Sequence, residues 1–268
     1  GAAGMNFLDF FVYQGRMGMF FVVEISALAS MIMLLWLFRK EKQSIELAEK
    51  TKVTDYFPSF LLVLMVFLLV LASLFPFGNE IIAKNINGII CLTLMFIGLA
   101  YELLFNKKAS NVVTAIKEID YATLLLLAGL FVVIGSIKEA GLIDEIGKLF
   151  ASISGGNLFI VYTLIVWVSV ILSAFIDNIP YMATMLPVVA ALAASLNIEP
   201  TILYFGLLCG ATLGGNLTPI GASANIAGIG ILRKEGYEVS TKQFMSIGVP
   251  FTLIAVITGY VLIWLIWV

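Results

Sequence analysis

Apolar residues run through this chain in long blocks separated by short polar links. The blocks cover 19–38, 57–76, 86–105 and 120–137, and an amphipathic stretch follows at 138–155. Two further arms, 157–175 and 181–196, stand on either side of a polar pair, Asp177 and Asn178. A broken apolar segment, 201–214 plus 224–232, and a last block at 244–267 complete the pattern. Several blocks reach about 18 residues or more, the length that crosses a hydrocarbon core. In lipid such a run satisfies its backbone only as a helix. The short alternating segments of a membrane β-barrel do not occur. The pattern therefore predicts an all-α integral membrane protein, with the polar links 39–56 and 106–119 as aqueous loops.

Composition agrees. The 268 residues are 61% hydrophobic and 12% charged, with a mean hydropathy of +1.07. A soluble domain carries about 25% charged residues. With no histidine in the chain, His-based catalysis, metal sites and proton relays fall away together. Cys91 and Cys209 lie inside apolar blocks, where packing is the expected role. A formal net charge of −2 offers nothing to nucleic acid. The opening, GAAGMNF, has neither a Met start nor a charged leader, so we expect no signal peptide and an N-terminal part that lies outside this sequence.

Charge placement tests the topology, because Lys and Arg concentrate in cytoplasmic loops. Let the loop with Arg39, Lys40, Lys42, Lys50 and Lys52 be cytoplasmic. Lys107, Lys108 and Lys117 then return to the same side. If the two arms around Asp177 begin and end on the opposite side, Arg233, Lys234 and Lys242 are cytoplasmic too. That leaves eleven basic residues inside against four outside, Arg16, Lys84, Lys138 and Lys148. A single crossing over 157–196 would give eight against seven. The asymmetry favours two arms that return to their starting side. It does not set the depth of the turn, and a polar turn at the membrane surface, capping a helix that Pro180 begins, satisfies the same parity.

The second irregular stretch is GATLGGNLTPIGASANIAGIG, residues 210–230, with six glycines, Pro219 and the polar residues Thr212, Asn216, Thr218, Ser223 and Asn225. Glycine and proline disfavour continuous helix, and non-helical backbone at membrane depth is tolerated only in protein or beside a watery cavity. Discontinuous helices present carbonyls and helix ends to ions and substrates, whereas close packing of small residues is the bland alternative. No Lys or Arg lies between Lys148 and Arg233, so Asp177 has no nearby ion-pair partner in sequence. A proton or a bound cation would neutralise it, and either would make it a coupling site. The oxygen-rich set of Asp177, Asn178 and freed carbonyls suits a hard cation such as sodium. Glu24 and Glu102 sit closer to helix ends and are expected to reach the interface, Glu102 within range of Lys107 and Lys108. The segment 138–153 has the spacing of an interfacial amphipathic helix.

SAFIDNIPYMATMLPVV followed by ATLGGNLTPIGASANIAG resembles the ion transporter superfamily that carries the citrate-transporter-like domain. Its members include arsenite permeases, NhaD-type sodium/proton antiporters, the melanosomal P protein and sodium-coupled dicarboxylate symporters. The resemblance implies an inverted-repeat transporter in which each repeat supplies a re-entrant hairpin and a broken helix. Residues 57–268 would form the second repeat, with hairpin 157–196 and broken helix 201–232. Residues 1–56 would be the tail of the first, namely the end of its broken helix, one span and a cytoplasmic loop. Dicarboxylate symporters resemble a Ser-Asn-Thr pattern at the hairpin tip, where this chain has Asp177, Asn178 and Ile179. An added negative charge would repel a dianion, so the tip looks more like the arsenite, P-protein and NhaD side.

The expectation is a secondary active transporter, not an enzyme, that moves a small ion or small anion coupled to H+ or Na+ across the plasma membrane as a multi-pass protein. Asp177 is the candidate proton or sodium site, with Asn178 beside it as a second ligand for Na+. Asn216, Thr218, Ser223 and Asn225 are candidate polar ligands. Gly214, Gly215 and Gly221 would let backbone approach the ion. The expected partners are the bilayer, the first repeat of the same protein and a second copy in a homodimer. A membrane scaffold without transport, or an intramembrane enzyme with a second acid in the missing half, are the rivals.

Overall fold

The computed structural model describes residues 5, 8–41, 55–75, 80–105, 109–119, 121–141, 145, 148–149, 152–153 and 155–268. After a 3-10 turn at Leu8–Phe10, two short strands pair antiparallel, β1 (Val12–Tyr13) and β2 (Arg16–Met17). Gln14 and Gly15 at the tip take φ of 49° and 74°, the left-handed pair that a two-residue hairpin turn requires. A broken-helix end was expected here, and a hairpin stands in its place. The helices that follow are α1 (Met19–Leu37), α2 (Phe57–Leu74), α3 (Glu80–Leu104), α4 (Ala109–Lys117) and α5 (Tyr121–Glu139). Then come α6 (Leu158–Ser173), α7 (Asn178–Leu196), α8 (Thr201–Gly214), a 3-10 turn at Gly215–Leu217, α9 (Ser223–Lys234) and α10 (Thr241–Trp267).

Five of these stretches are long and apolar enough to cross a membrane: Met19–Leu37, Phe57–Leu74, Asn85–Leu104, Asn178–Leu196 and Thr241–Trp267. The apolar blocks thus map onto helices within a few residues. Two differences have local causes. The link 106–119 was read as a loop, yet Ala109–Lys117 is helical. Val112, Val113 and Ile116 lie three and four apart there, a helical spacing that loop-like polarity masks. The second arm begins at Asn178 rather than Pro180, because Asp177 caps it, and it continues through Pro187 without a break. In the interfacial stretch 138–155, residues 142–144, 146–147, 150–151 and 154 fall outside the described residues, as do Lys42, Lys50, Lys52, Lys107 and Lys108. Within that stretch Lys148 pairs with Glu145 at 2.9 Å.

The chain divides into two compact units. The smaller spans Gln43–Thr123 with Met5–Asp9. There α2 packs on α3 and α3 on α4. Phe57 stacks on Tyr101 with ring centroids 3.9 Å apart, and Asn111 donates to Glu102 at 3.1 Å. This places Glu102 beside a helix partner; Lys107 and Lys108, its expected neighbours, lie outside the described residues.

The larger unit, Phe10–Lys42 with Leu124–Val268, holds the core. Both arms α6 and α7 pack chiefly on α8, which α10 covers in turn, and α1 packs along α10. Tyr162, Ile165, Leu192, Leu203, Leu207, Val256 and Ile263 are fully buried. Buried with them are the small polar residues Ser26, Ser30, Ser169, Ser173, Thr201, Thr218 and Thr252, while Leu28, Ile32, Leu35, Ile171 and Leu265 face outward. Small polar residues buried among large apolar ones, with further large apolar residues facing outward, is a pattern that suits helices in lipid.

Gly206, Gly210 and Gly214 form a stripe at four-residue spacing on α8 against α6. A Cβ on Gly206 would lie 2.7 Å from Tyr162 Cε2, one on Gly210 would press on the Val166 carbonyl, and one on Gly214 would lie 2.5 Å from the Val170 carbonyl oxygen. Because those obstacles are backbone or a buried ring, the helices must separate to admit a side chain. We therefore expect Gly210→Val to destabilise the protein by about 1–3 kcal/mol, the usual cost of overpacking. Gly228→Ala, which meets open space, should be silent. Thermal unfolding of the two variants in detergent checks the pair.

Candidate functional site

The site begins where α6 ends. Its last turn is apolar up to a closing Ser173, and the turn Ala174–Asp177 leads into α7. Twelve residues separate Ser169 from Tyr181, a distance of about 18 Å in a continuous helix. Instead the Tyr181 hydroxyl donates to Ser169 Oγ at 3.0 Å. The chain therefore turns between the two arms, which are not one continuous helix.

Asp177 is the N-cap of α7, and its Oδ1 accepts from the Ile179 amide at 3.2 Å. Its other oxygen reaches a second helix. Oδ2 accepts from the Ser223 amide at 3.2 Å and from the Ser223 hydroxyl at 2.5 Å. Ser223 is the first residue of α9. One carboxylate thus joins the N-termini of two helices, each with its positive dipole end turned toward it. The sequence offered Asp177 no partner within range. The fold supplies one 46 residues later.

Two further bonds fasten the tip to the broken segment. The Ser173 hydroxyl donates to the Ala211 carbonyl at 2.5 Å, and the Thr218 hydroxyl donates to the Ala174 carbonyl. Between α8 and α9 the chain passes through the 3-10 turn into the extended backbone of Thr218 and Ala222. Asn225 closes this interruption, with Nδ2 donating to the carbonyls of Gly215 at 2.9 Å and Thr218 at 3.1 Å. Gly221 packs against it: a Cβ there would lie 2.5 Å from Gly215 O and 2.8 Å from Ala174 O.

The nine candidate residues are therefore distributed unevenly. Asp177 and Ser223 touch, Thr218 holds the end of α6, and Asn225 and Gly215 close the break, with Gly221 nested between. Asn178 opens α7 beside Asp177 and is half-buried. The space beside Gly214 is taken by Val170 backbone, and that beside Gly215 by Gly221, so the close approach these glycines permit is of protein to protein. Asn216 points elsewhere. It lines a cavity of about 710 Å³ together with Leu34, Tyr237, Glu238, Gln243 and Phe251. Thr212 faces away from the junction toward a smaller cavity. Ser173 and the Ala174 carbonyl belong to the site but were not singled out from sequence. A serine in the last turn of an otherwise apolar arm was the available signal.

With this geometry in view the comparisons take on meaning. The model of the citrate transporter family matches residues 1–210. The chain belongs to that family. The match takes in the hairpin and stops as the interrupted stretch begins. Among similar proteins, an uncharacterized transporter of Mycobacterium tuberculosis is 37% identical over 152 residues, which is 56% of this chain and 35% of that protein. The 46 kDa membrane protein of Mycobacterium leprae is 34% identical over 152 residues, again 56% of this chain and 35% of that protein. The P protein of Homo sapiens is 36% identical over 149 residues, covering 53% of this chain and 18% of that protein. The chain thus spans about a third of the length of the mycobacterial relatives and less of the P protein. No solved structure matches it.

The hydrogen bonds at the junction give a graded expectation. Ser223→Ala keeps the amide donor to Asp177 and loses the hydroxyl, for a loss of about 1 kcal/mol. Asn225→Ala strands the Gly215 and Thr218 carbonyls and should cost about 1–3 kcal/mol. Amide hydrogen exchange read by mass spectrometry should rise at 174–181 in the first variant, and at 215–226 in the second. Equal protection in both variants and the parent would contradict the assignment.

Proposed function

We propose that the parent protein is a secondary active transporter of the plasma membrane, coupled to H+ or Na+, with Asp177 as the coupling-ion site. The observation that carries the reading is the single carboxylate linking the hairpin tip to the restart of the broken helix, in a stretch without Lys or Arg. Its family membership supports it, as does its similarity to two uncharacterized transporters of Mycobacterium tuberculosis.

An ionised carboxylate only accepts, and it satisfies the Ile179 amide and both Ser223 donors at once. Protonation turns one oxygen into a donor and breaks that match. A sodium ion would recruit carboxylate, hydroxyl and carbonyl oxygens from the same groups, with Asn178, Thr218 and Asn225 in reach of the tip. Either event loosens the tie between hairpin and α9, and so couples ion occupancy to a change of access. The cargo is a small inorganic ion or small anion. Asn216, on the larger cavity, belongs to its path rather than to the Asp177 junction. The first repeat of the parent completes the site, and a homodimer houses it.

The same three hydrogen bonds favour a second reading, in which Asp177 is a static cap in a non-transporting membrane scaffold. Asparagine caps a helix about as well as aspartate, so the two readings part at Asp177→Asn. The parent protein in inverted vesicles carrying a pH gradient should dissipate that gradient on addition of sodium or lithium. Asp177→Asn should abolish the response while the protein still inserts at normal levels. Wild-type flux in the variant would leave Asp177 as a cap and sink the coupling role. A response to an arsenite or citrate pulse alone would move the cargo to the anion class.

A further inference from the structure

The helix α4 stands where the sequence predicted an aqueous loop. At about 3.6 residues per turn, Val112, Val113, Ala115 and Ile116 fill about 160° of its circumference, and Ser110, Asn111, Thr114 and Lys117 fill about 120° opposite them. Every residue over 110–117 falls into one arc or the other. Asn111 and Val112 mark the side that meets α3: Asn111 donates to Glu102 at 3.1 Å, and Val112 is half-buried. Farther round the apolar arc, Val113 and Ile116 are 51% and 45% exposed, and Ile119, in the turn that follows, is 37% exposed.

The bond to Glu102 also fixes the depth of α4. Glu102 lies in the last turn of the apolar span Asn85–Leu104, so α4 stands level with the point where that span leaves the hydrocarbon. The outward surface there is already apolar, with Leu104 and Phe105 70% and 74% exposed. The Tyr121 hydroxyl donates to the Ile116 carbonyl at 3.1 Å, which puts a ring with a polar tip at the same level, the place such rings take at a membrane surface. A helix with one apolar and one polar arc at this boundary satisfies both by lying in the plane of the membrane. Lys117 stands at the edge of the polar arc beside Val113, where its stem runs along apolar surface and its ammonium reaches the phosphates. A stable protein partner covers about 800 Å² a side, more than Val113, Ile116 and Ile119 offer together. We propose that α4 is a membrane-surface helix whose partner is the phospholipid leaflet itself. Val113, Ile116 and Ile119 insert among the upper acyl chains, and the polar arc faces headgroups and water.

The test uses the full-length parent in phosphatidylcholine vesicles, with Cys91 and Cys209 replaced by alanine and single nitroxide-labelled cysteines placed in turn at 110, 113, 114, 116 and 117. Collision with oxygen should be high, and with a water-soluble nickel chelate low, at 113 and 116. The reverse should hold at 110, 114 and 117. Ile116→Asp should open the label at 113 to the chelate, whereas Thr114→Asp, on the polar arc, should leave it shielded. The unaltered chain gives a second measurement, in phosphatidylcholine that carries a diazirine near the carbonyl end of one acyl chain. Illumination should place adducts at 113, 116 and 119 and spare 110 and 114; adducts without that spacing would overturn the proposal. Chelate access at all five labelled positions would put α4 in water and overturn it too. Exclusion of both relaxers at 113 and 116 would replace the lipid with a protein cover, the first repeat or a second copy.

Discussion

A helix that stops and restarts in lipid leaves amides and carbonyls that only the protein can satisfy. The larger unit is arranged around that requirement. Where α8 gives way to the 3-10 turn, Asn225 takes up the carbonyls of Gly215 and Thr218. Where α9 restarts, its first amide finds Asp177. Where α6 ends, the carbonyl of Ala174 receives the Thr218 hydroxyl. Each interruption in one segment is repaired by a polar group from another, so the hairpin and the broken helix are structurally one object.

The helix packing follows from the same need for proximity. Side-chain bonds of this length require α6 and α8 to run close, and the stripe Gly206, Gly210, Gly214 removes the side chains that would hold them apart. Lipid provides little hydrophobic drive for helices to associate, so contact area and hydrogen bonds carry the load. Tyr162 shows both at once, stacked on Tyr260 with centroids 5.0 Å apart and donating to the Tyr260 carbonyl at 2.8 Å. The last helix is fastened at its far end as well, where Arg16 donates to the Ile266 carbonyl at 2.8 Å and lies over the Trp267 ring.

This architecture frames how a carboxylate acts in such a place. An isolated charge in a membrane interior is expensive, yet Asp177 is held by two amides and a hydroxyl at two helix starts. That holding satisfies the carboxylate without a basic side chain. An Arg or Lys partner would have held the charge permanently. A fixed helix cap uses the same device.

The helical spans were legible in the sequence because run length and hydropathy are local properties, and lipid permits no other backbone for them. So were the two polar interruptions, since Asp177 with Asn178 and the glycine-rich stretch 210–230 stand out against apolar surroundings. The roles inside those interruptions were not legible. That Ser223 holds Asp177, that Asn216 faces a different cavity, and that Gly214 makes room for Val170 depend on residues far apart in sequence coming together. Sequence by itself determined which segments enter the membrane and where they break. Tertiary structure alone decided which polar group meets which, because a hydrogen bond is set by distance in space.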